Sequence, residues 1–236
     1  QDFLPGLVDA RRRNTLLQAN AQAEYPLSAN QTLQFDFQIR DSRDTIALWG
    51  SFFSCLLAVY LCFAWLTSLL TGAGLGQATA NTGVTLFNLG GVAGALIGGV
   101  LVSQFGSRVS MATMAALAVT SAAALSFMPI NTSVSIVPLL LMLALTGGLV
   151  NGLQTTMYAL GAHIYPTAIR ATGVGGALGF GRGGAVVAGY LGSWAIDAGG
   201  APMFFRAVAA MMLVALILLL IITRHVPGTR ARAGRA

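Results

Sequence analysis

TIALWGSFFSCLLAVYLCFAWLTSLL, residues Thr45 to Leu70, runs for 26 residues without one charged side chain. A helix that crosses a bilayer needs about 20 mostly apolar residues. The stretch is too long for a buried strand, and a membrane-barrel strand would alternate rather than run solidly apolar. It reads as a transmembrane helix. Outward from it, five more blocks repeat the pattern: Thr82 to Val102, Val109 to Met128, Ser135 to Leu160, Gly173 to Ala195 and Met203 to Thr223. Between the blocks lie turn formers: Gly72, Gly74 and Gly76; Gly106; Pro129 and Asn131; Pro166; Gly199, Gly200 and Pro202. The expected fold class is all-α, a polytopic membrane protein of six transmembrane helices.

Composition supports lipid as the solvent. Hydrophobic residues make up 56% and charged ones 8%, against about 25% charged in a soluble domain. From Thr45 to Thr223 the charges are Arg108, Arg170, Arg182, Asp197 and Arg206. Five charges cannot cover a soluble domain of that size, which excludes a soluble enzyme, a disordered chain and a disulfide-stapled secreted domain. The net charge of +6 rests on thirteen Arg and no Lys. Eleven of those Arg lie outside the apolar blocks and they do not share one face, so nucleic acid is not an expected partner. Cys55 and Cys62 stand two helical turns apart on one face, about 10 Å along the axis, too far for a disulfide. Residues 1–44 read as a linker, with a surface helix expected from Asp9 to Ala23. Residues 45–223 form the bundle and residues 224–236 a basic tail. The opening Gln-Asp-Phe, without Met or a signal pattern, suggests a piece of a longer protein.

Loop charges set the expected orientation. Eleven of the thirteen Arg precede span one, lie in loops two–three and four–five (Arg108, Arg170), or follow span six. The loops on the other side carry none. Positive charge is retained in the cytoplasm, so both termini are expected there, in a bacterial inner membrane.

Two features inside the spans invite function. Asn151, Gln154 and Tyr158 share one stripe of span four, and Asn88 with Thr85 makes a weaker one on span two. Unpaired amides are costly in hydrocarbon, so the stripe faces either a neighbouring helix or a substrate cavity. Gly91, Gly94 and Gly98 on span two permit close approach of another helix. Arg182 lies near the middle of span five, where a charge costs about 2.5–3.5 kcal/mol on insertion scales. Carbonyl oxygens, a residue outside this chain or an anionic substrate could neutralise it. Gly179, Gly181 and Gly184 spell GxGxxG, but without the strand and following acid that a dinucleotide site needs. His163 and His225 have no Cys, Asp or Glu at metal-ligand spacing. No catalytic cluster is apparent, and neither an enzyme, a metal nor a cofactor is expected.

The loop GVLVSQFGSR, Gly99 to Arg108, resembles the major facilitator superfamily motif G-x-x-x-D-R-x-G-R-R at Gly99, Gly106 and Arg108, and departs from it at Ser103, Gln104 and Ser107. HIYPTAIRATG, His163 to Gly173, with Pro166 and Arg170, looks like the loop before that superfamily's eleventh helix. With GVGGALGFGRGGAVVAGYLG and the Thr45–Leu70 span, the chain resembles the aromatic acid/proton symporters. The resemblance implies the C-terminal half of a twelve-helix carrier, with the seventh and tenth helices lining the cavity. It also implies an N-terminal six-helix half as partner, and symport of a small aromatic acid with protons by alternating access. Arg182 would hold the substrate carboxylate, and Asn151, Gln154, Tyr158 and Asn88 would supply polar contacts. Gly99, Gly106, Arg108, Pro166 and Arg170 would serve conformational change. The alternative is a non-transporting remnant, sensor or scaffold made from half a carrier.

Overall fold

The computed structural model describes residues 29–130, 136–167 and 169–229. The expected helix at Asp9–Ala23, the Asn131-Thr132-Ser133 acceptor pattern and Arg230, Arg232 and Arg235 lie outside them. The chain falls into two units, Gln1–Asp41 and Ser42–Ala236. Of the first, the structure describes the backbone from Ala29 onward. Every regular element among the described residues is helical: α1 (Ala29–Gly72), α2 (Gln77–Phe105), α3 (Ser107–Phe127), α4 (Ile136–Ile164) and α5 (Arg170–Ile221). Each contains a stretch long and apolar enough to cross a membrane.

Six expected spans become five helices because the last two run on as α5. At 52 residues, a straight helix would be about 78 Å long, over twice a hydrocarbon core. It is not straight. Gly199 (φ −173°, ψ 16°) and Gly200 (φ 62°, ψ −144°) leave helical geometry. The positive φ at Gly200 favours glycine, and Pro202 suits the start of the second arm. Along the first arm Gly176 meets Trp49, Gly181 meets Phe52 and Gly192 meets Trp65, so it runs parallel to α1. In the second arm Leu218 lies on Gly50 and the Ile221 carbonyl accepts from Arg43, so the chain has reversed.

Glycine sets the tightest seam. A Cβ on Gly90 would strike the carbonyl oxygen of Ala144, one on Gly94 the carbonyl oxygen of Gly148, and one on Gly147 that of Phe87. Thus α2 and α4 pack parallel with their backbones in direct contact, and the small-residue spacing of span two is used against span four. Phe52, Leu61, Leu66, Leu143, Leu153 and Phe204 are fully buried in the common core. Cys55 and Cys62 are buried and free.

The end bearing Arg43, Arg108 and Arg170 is closed by polar contacts. Asp44, wholly buried, accepts bonds from the Thr223 amide (3.0 Å), the Thr223 hydroxyl (2.9 Å) and the Arg224 amide (3.1 Å). Gly106 is the sole residue between α2 and α3 and turns the corner at φ 88°. A Cβ there would lie 2.9 Å from the Val226 carbonyl oxygen. The Ser107 hydroxyl accepts from the Val226 amide at 2.8 Å and pairs with His225 Nδ1 at 3.2 Å, while His225 Nε2 meets the Ile222 carbonyl at 2.9 Å. With Nε2 donating to that carbonyl, Nδ1 is left to accept from the hydroxyl.

Candidate functional site: a polar and aromatic layer at mid-depth

Helices α4 and α5 share a reference level where Gly161 faces Val174 and Gly173 lies on the Tyr165 ring. Gln154 stands ten residues from the end of α4 at Ile164, and Arg182 twelve residues after Arg170. At about 1.5 Å per residue they lie roughly 15 and 18 Å in, both close to the middle of a bilayer core about 30 Å thick.

Phe52 of α1 links the two helices at this level. Its Cβ lies 3.3 Å from where a Gly181 Cβ would stand, beside Arg182. Its ring meets the Tyr158 ring edge-on, centroids 5.6 Å apart at 73°. Glycine at 181 lets α5 approach Phe52, and Phe52 fills the gap to α4. Sequence reading missed Phe52, whose apolar type carries no signal of its own.

Arg182 is exposed on the face opposite the seam with α1. Gly175, Gly179, Arg182, Val186 and Gly189 recur at helical spacing, and a Cβ on Gly175, Gly179 or Gly189 would meet no neighbouring atom. The guanidinium thus rises from a strip of nearly bare backbone, a surface on which a flat ring can lie. Among the described residues Arg182 has no hydrogen bond or ion pair, so its donors are open to an anion.

The Asn/Gln/Tyr stripe divides. Asn151 packs on Gly91 and donates to the carbonyl of Gly147 in its own helix (3.0 Å); it serves the α2–α4 seam. Tyr158 is 41% exposed. Gln154 is buried, with neither amide atom paired. Asn88 is exposed on α2 and bonds back to the Val84 carbonyl at 2.9 Å. None of these residues is hydrogen-bonded to Arg182.

The motif loops occupy the arginine-bearing end. Gly99 is exposed with free space around it, whereas Gly106 is crowded by the segment after α5. Arg108 and Arg170 are exposed. Pro166 accepts from the Ile169 amide at 3.1 Å, and the next-door Tyr165 hydroxyl accepts from Trp49 Nε1 at 3.0 Å, tying this loop to α1. Sequence reading also missed that tie, and the clamp at Asp44. A lone carboxylate between Arg43 and the first apolar block was the available signal. No cluster of metal ligands occurs among the described residues.

Comparison with known proteins places this arrangement. The chain is 34% identical over 162 residues to a gallate transporter of Pseudomonas putida, covering 68% of this chain and 35% of that protein. It is 36% identical over 160 residues to a 4-hydroxybenzoate transporter of Acinetobacter baylyi, covering 66% and 34%. Against a benzoate transport protein of the same species it is 30% identical over 161 residues, covering 68% and 34%. The matches span about a third of these relatives' length. The family model for the Major Facilitator Superfamily matches residues 47–236. With its long apolar helices, the chain is a multi-pass membrane protein and belongs to the Major Facilitator Superfamily.

Proposed function

We propose that this chain forms one wall of a secondary active carrier for aromatic carboxylic acids. The observation that carries the reading is the mid-depth layer: an unpaired guanidinium on a glycine strip, flanked through Phe52 by Tyr158. A carboxylate satisfies a guanidinium through two parallel N–H···O bonds. The ring then lies along the bare backbone of Gly179 and Gly175 and against aromatic edges. The named substrates of the relatives, gallate, 4-hydroxybenzoate and benzoate, are acids of this kind.

In the same reading, the other wall is an N-terminal six-helix half. The two halves rock about the midplane layer and expose it to each side in turn, and protons are co-transported. The arginine-bearing end faces the cytoplasm, with both termini there, in a bacterial inner membrane.

The test is uptake of radiolabelled aromatic acid by a carrier containing this chain, normalised to folded protein in the membrane. Arg182→Ala removes the carboxylate's partner, and uptake should fall at least about tenfold, the equivalent of one lost charge-assisted pair. Arg182→Lys should rescue little, since an ammonium cannot reproduce the planar fork. Parental uptake by Arg182→Ala would remove Arg182 from the site.

A further inference from the structure

We propose that Gln154 reads a hydroxyl group on the ring of the carried acid, making this half selective for phenolic over unsubstituted aromatic acids. The inference rests on the aromatic-acid reading above and adds a residue that sets specificity.

Gln154 is 7% exposed, and both its Oε1 and its Nε2 are buried without a partner. The polar groups nearest to it along α4 are settled within that helix: the Asn151 amide donates to Gly147 and the Thr155 hydroxyl to Asn151. A buried amide unmatched at both ends suits a group that can both donate and accept.

The surroundings say which ligand. One turn before Gln154, the Val150 carbonyl receives Cys55 Sγ at 3.6 Å. One turn after it, Tyr158 meets Phe52. The amide therefore lies in the α1–α4 seam, over the turn from Phe52 to Cys55, at about the depth of Arg182. A carboxylate only accepts, so it could satisfy Nε2 but would leave Oε1 unmatched. A phenolic hydroxyl gives its proton to Oε1 and accepts from Nε2. The hydroxyl therefore goes to Gln154, and the ring that bears it meets Tyr158 at the open edge of the seam. Tyr158, 41% exposed beside the seam, is the side chain whose rotation opens the amide to the ring.

The experiment compares two probes that differ by one hydroxyl, 4-hydroxybenzoate and benzoate. Binding to a carrier containing this chain, in lipid nanodiscs, is followed by saturation-transfer NMR, beside the thermal unfolding midpoint without ligand. The parent should favour 4-hydroxybenzoate by about tenfold or more, the scale of one good hydrogen bond. Gln154→Leu should bring that ratio close to one, keep benzoate binding within about twofold, and leave the midpoint level or raised. Gln154→Met, unbranched and of similar volume, gives the same comparison should Leu not pack. An unchanged ratio in these variants overturns the inference while the aromatic-acid reading stands. A fall in midpoint with equal loss of both acids also overturns it, because the amide is then held by a buried water as part of the core. A parent that binds neither acid overturns both.

Discussion

Gly94→Ala is the most demanding test of the bundle, because one methyl group must go where a backbone already stands. A Cβ at Gly94 would lie 2.5 Å from the carbonyl carbon of Gly148 and 2.6 Å from its Cα, closer still to the oxygen. Backbone cannot swing aside as a side-chain end can. Restoring ordinary contact at 3.4 Å from that carbon alone requires α2 and α4 to part by at least about 0.9 Å, the difference 3.4 − 2.5, and clearing the oxygen requires more. A gap of that size forfeits about a quarter to a half of the dispersion well at every pair it opens. The seam includes Phe87–Gly147, Gly90–Ala144 and Gly94–Gly152 as well, so the loss is shared along it. Overpacking a close-packed site costs about 1–3 kcal/mol. Gly99→Ala is the control on the same helix: nothing lies within 4 Å of its Cβ position, and alanine should gain about 0.8–1.0 kcal/mol in helix propensity. That gain is common to both variants and cancels, so they should differ by about the overpacking cost, 1–3 kcal/mol. Steric trapping or denaturant unfolding in detergent micelles reads that difference directly. Equal stabilities would refute a backbone-to-backbone seam.

Asp44→Ala removes the acceptor of three part-buried bonds to residues 223–224, each worth about 1 kcal/mol or more to a charged acceptor, so the segment after α5 should detach before the bundle unfolds, seen as faster amide exchange there. Burial holds the His225 imidazole below its ordinary value of 6.5, aided by Arg108 and His163 and opposed by its bond to Ile222 and by Asp44. The docked segment favours the neutral ring, so docking is fully stable above pH 6.5 and weakens as pH falls through the lowered value. A spin label at Thr229 should gain mobility on acidification, and His225→Gln should flatten that response. For orientation, cysteine at Ala78 should react with an impermeant thiol reagent from outside and cysteine at Ala233 should not, the reverse pattern overturning the assignment.

The helices were legible because apolar length is a one-dimensional signal. Thr45–Leu70 and the five other blocks needed no tertiary knowledge, and the break at Gly199 and Gly200 was marked by Gly-Gly-Ala-Pro. Helix pairing was not legible. Gly91, Gly94 and Gly98 announced a close neighbour without naming α4, since glycine lowers the cost of any approach. The Asn151–Tyr158 stripe shows the limit for sites. Three residues at i, i+3 and i+7 share a face by geometry, yet that face meets different neighbours along its length: Gly91 at Asn151, the seam with α1 at Gln154, an open edge at Tyr158. Periodicity fixes azimuth on one helix, and partners along the axis come from packing.

That packing also bears on how the bundle could move. The α2–α4 seam has no side-chain layer at its tightest points, so it cannot slide without carbonyl oxygens colliding. The arginine-bearing end is pinned where Asp44 and Ser107 hold residues 223–226. Neither contact offers a graded response, because close-packed interiors shift between discrete arrangements rather than deform continuously. The seam between α1 and the first arm of α5 differs. Gly176 and Gly192 there face Trp49 and Trp65 side chains, which can change rotamer, on either side of the backbone contact of Gly184 with Phe53 and Leu57, and Trp65 Nε1 is buried without a hydrogen-bond partner. Motion within the bundle would concentrate along that seam, whose outer face on α5 carries the exposed Arg182.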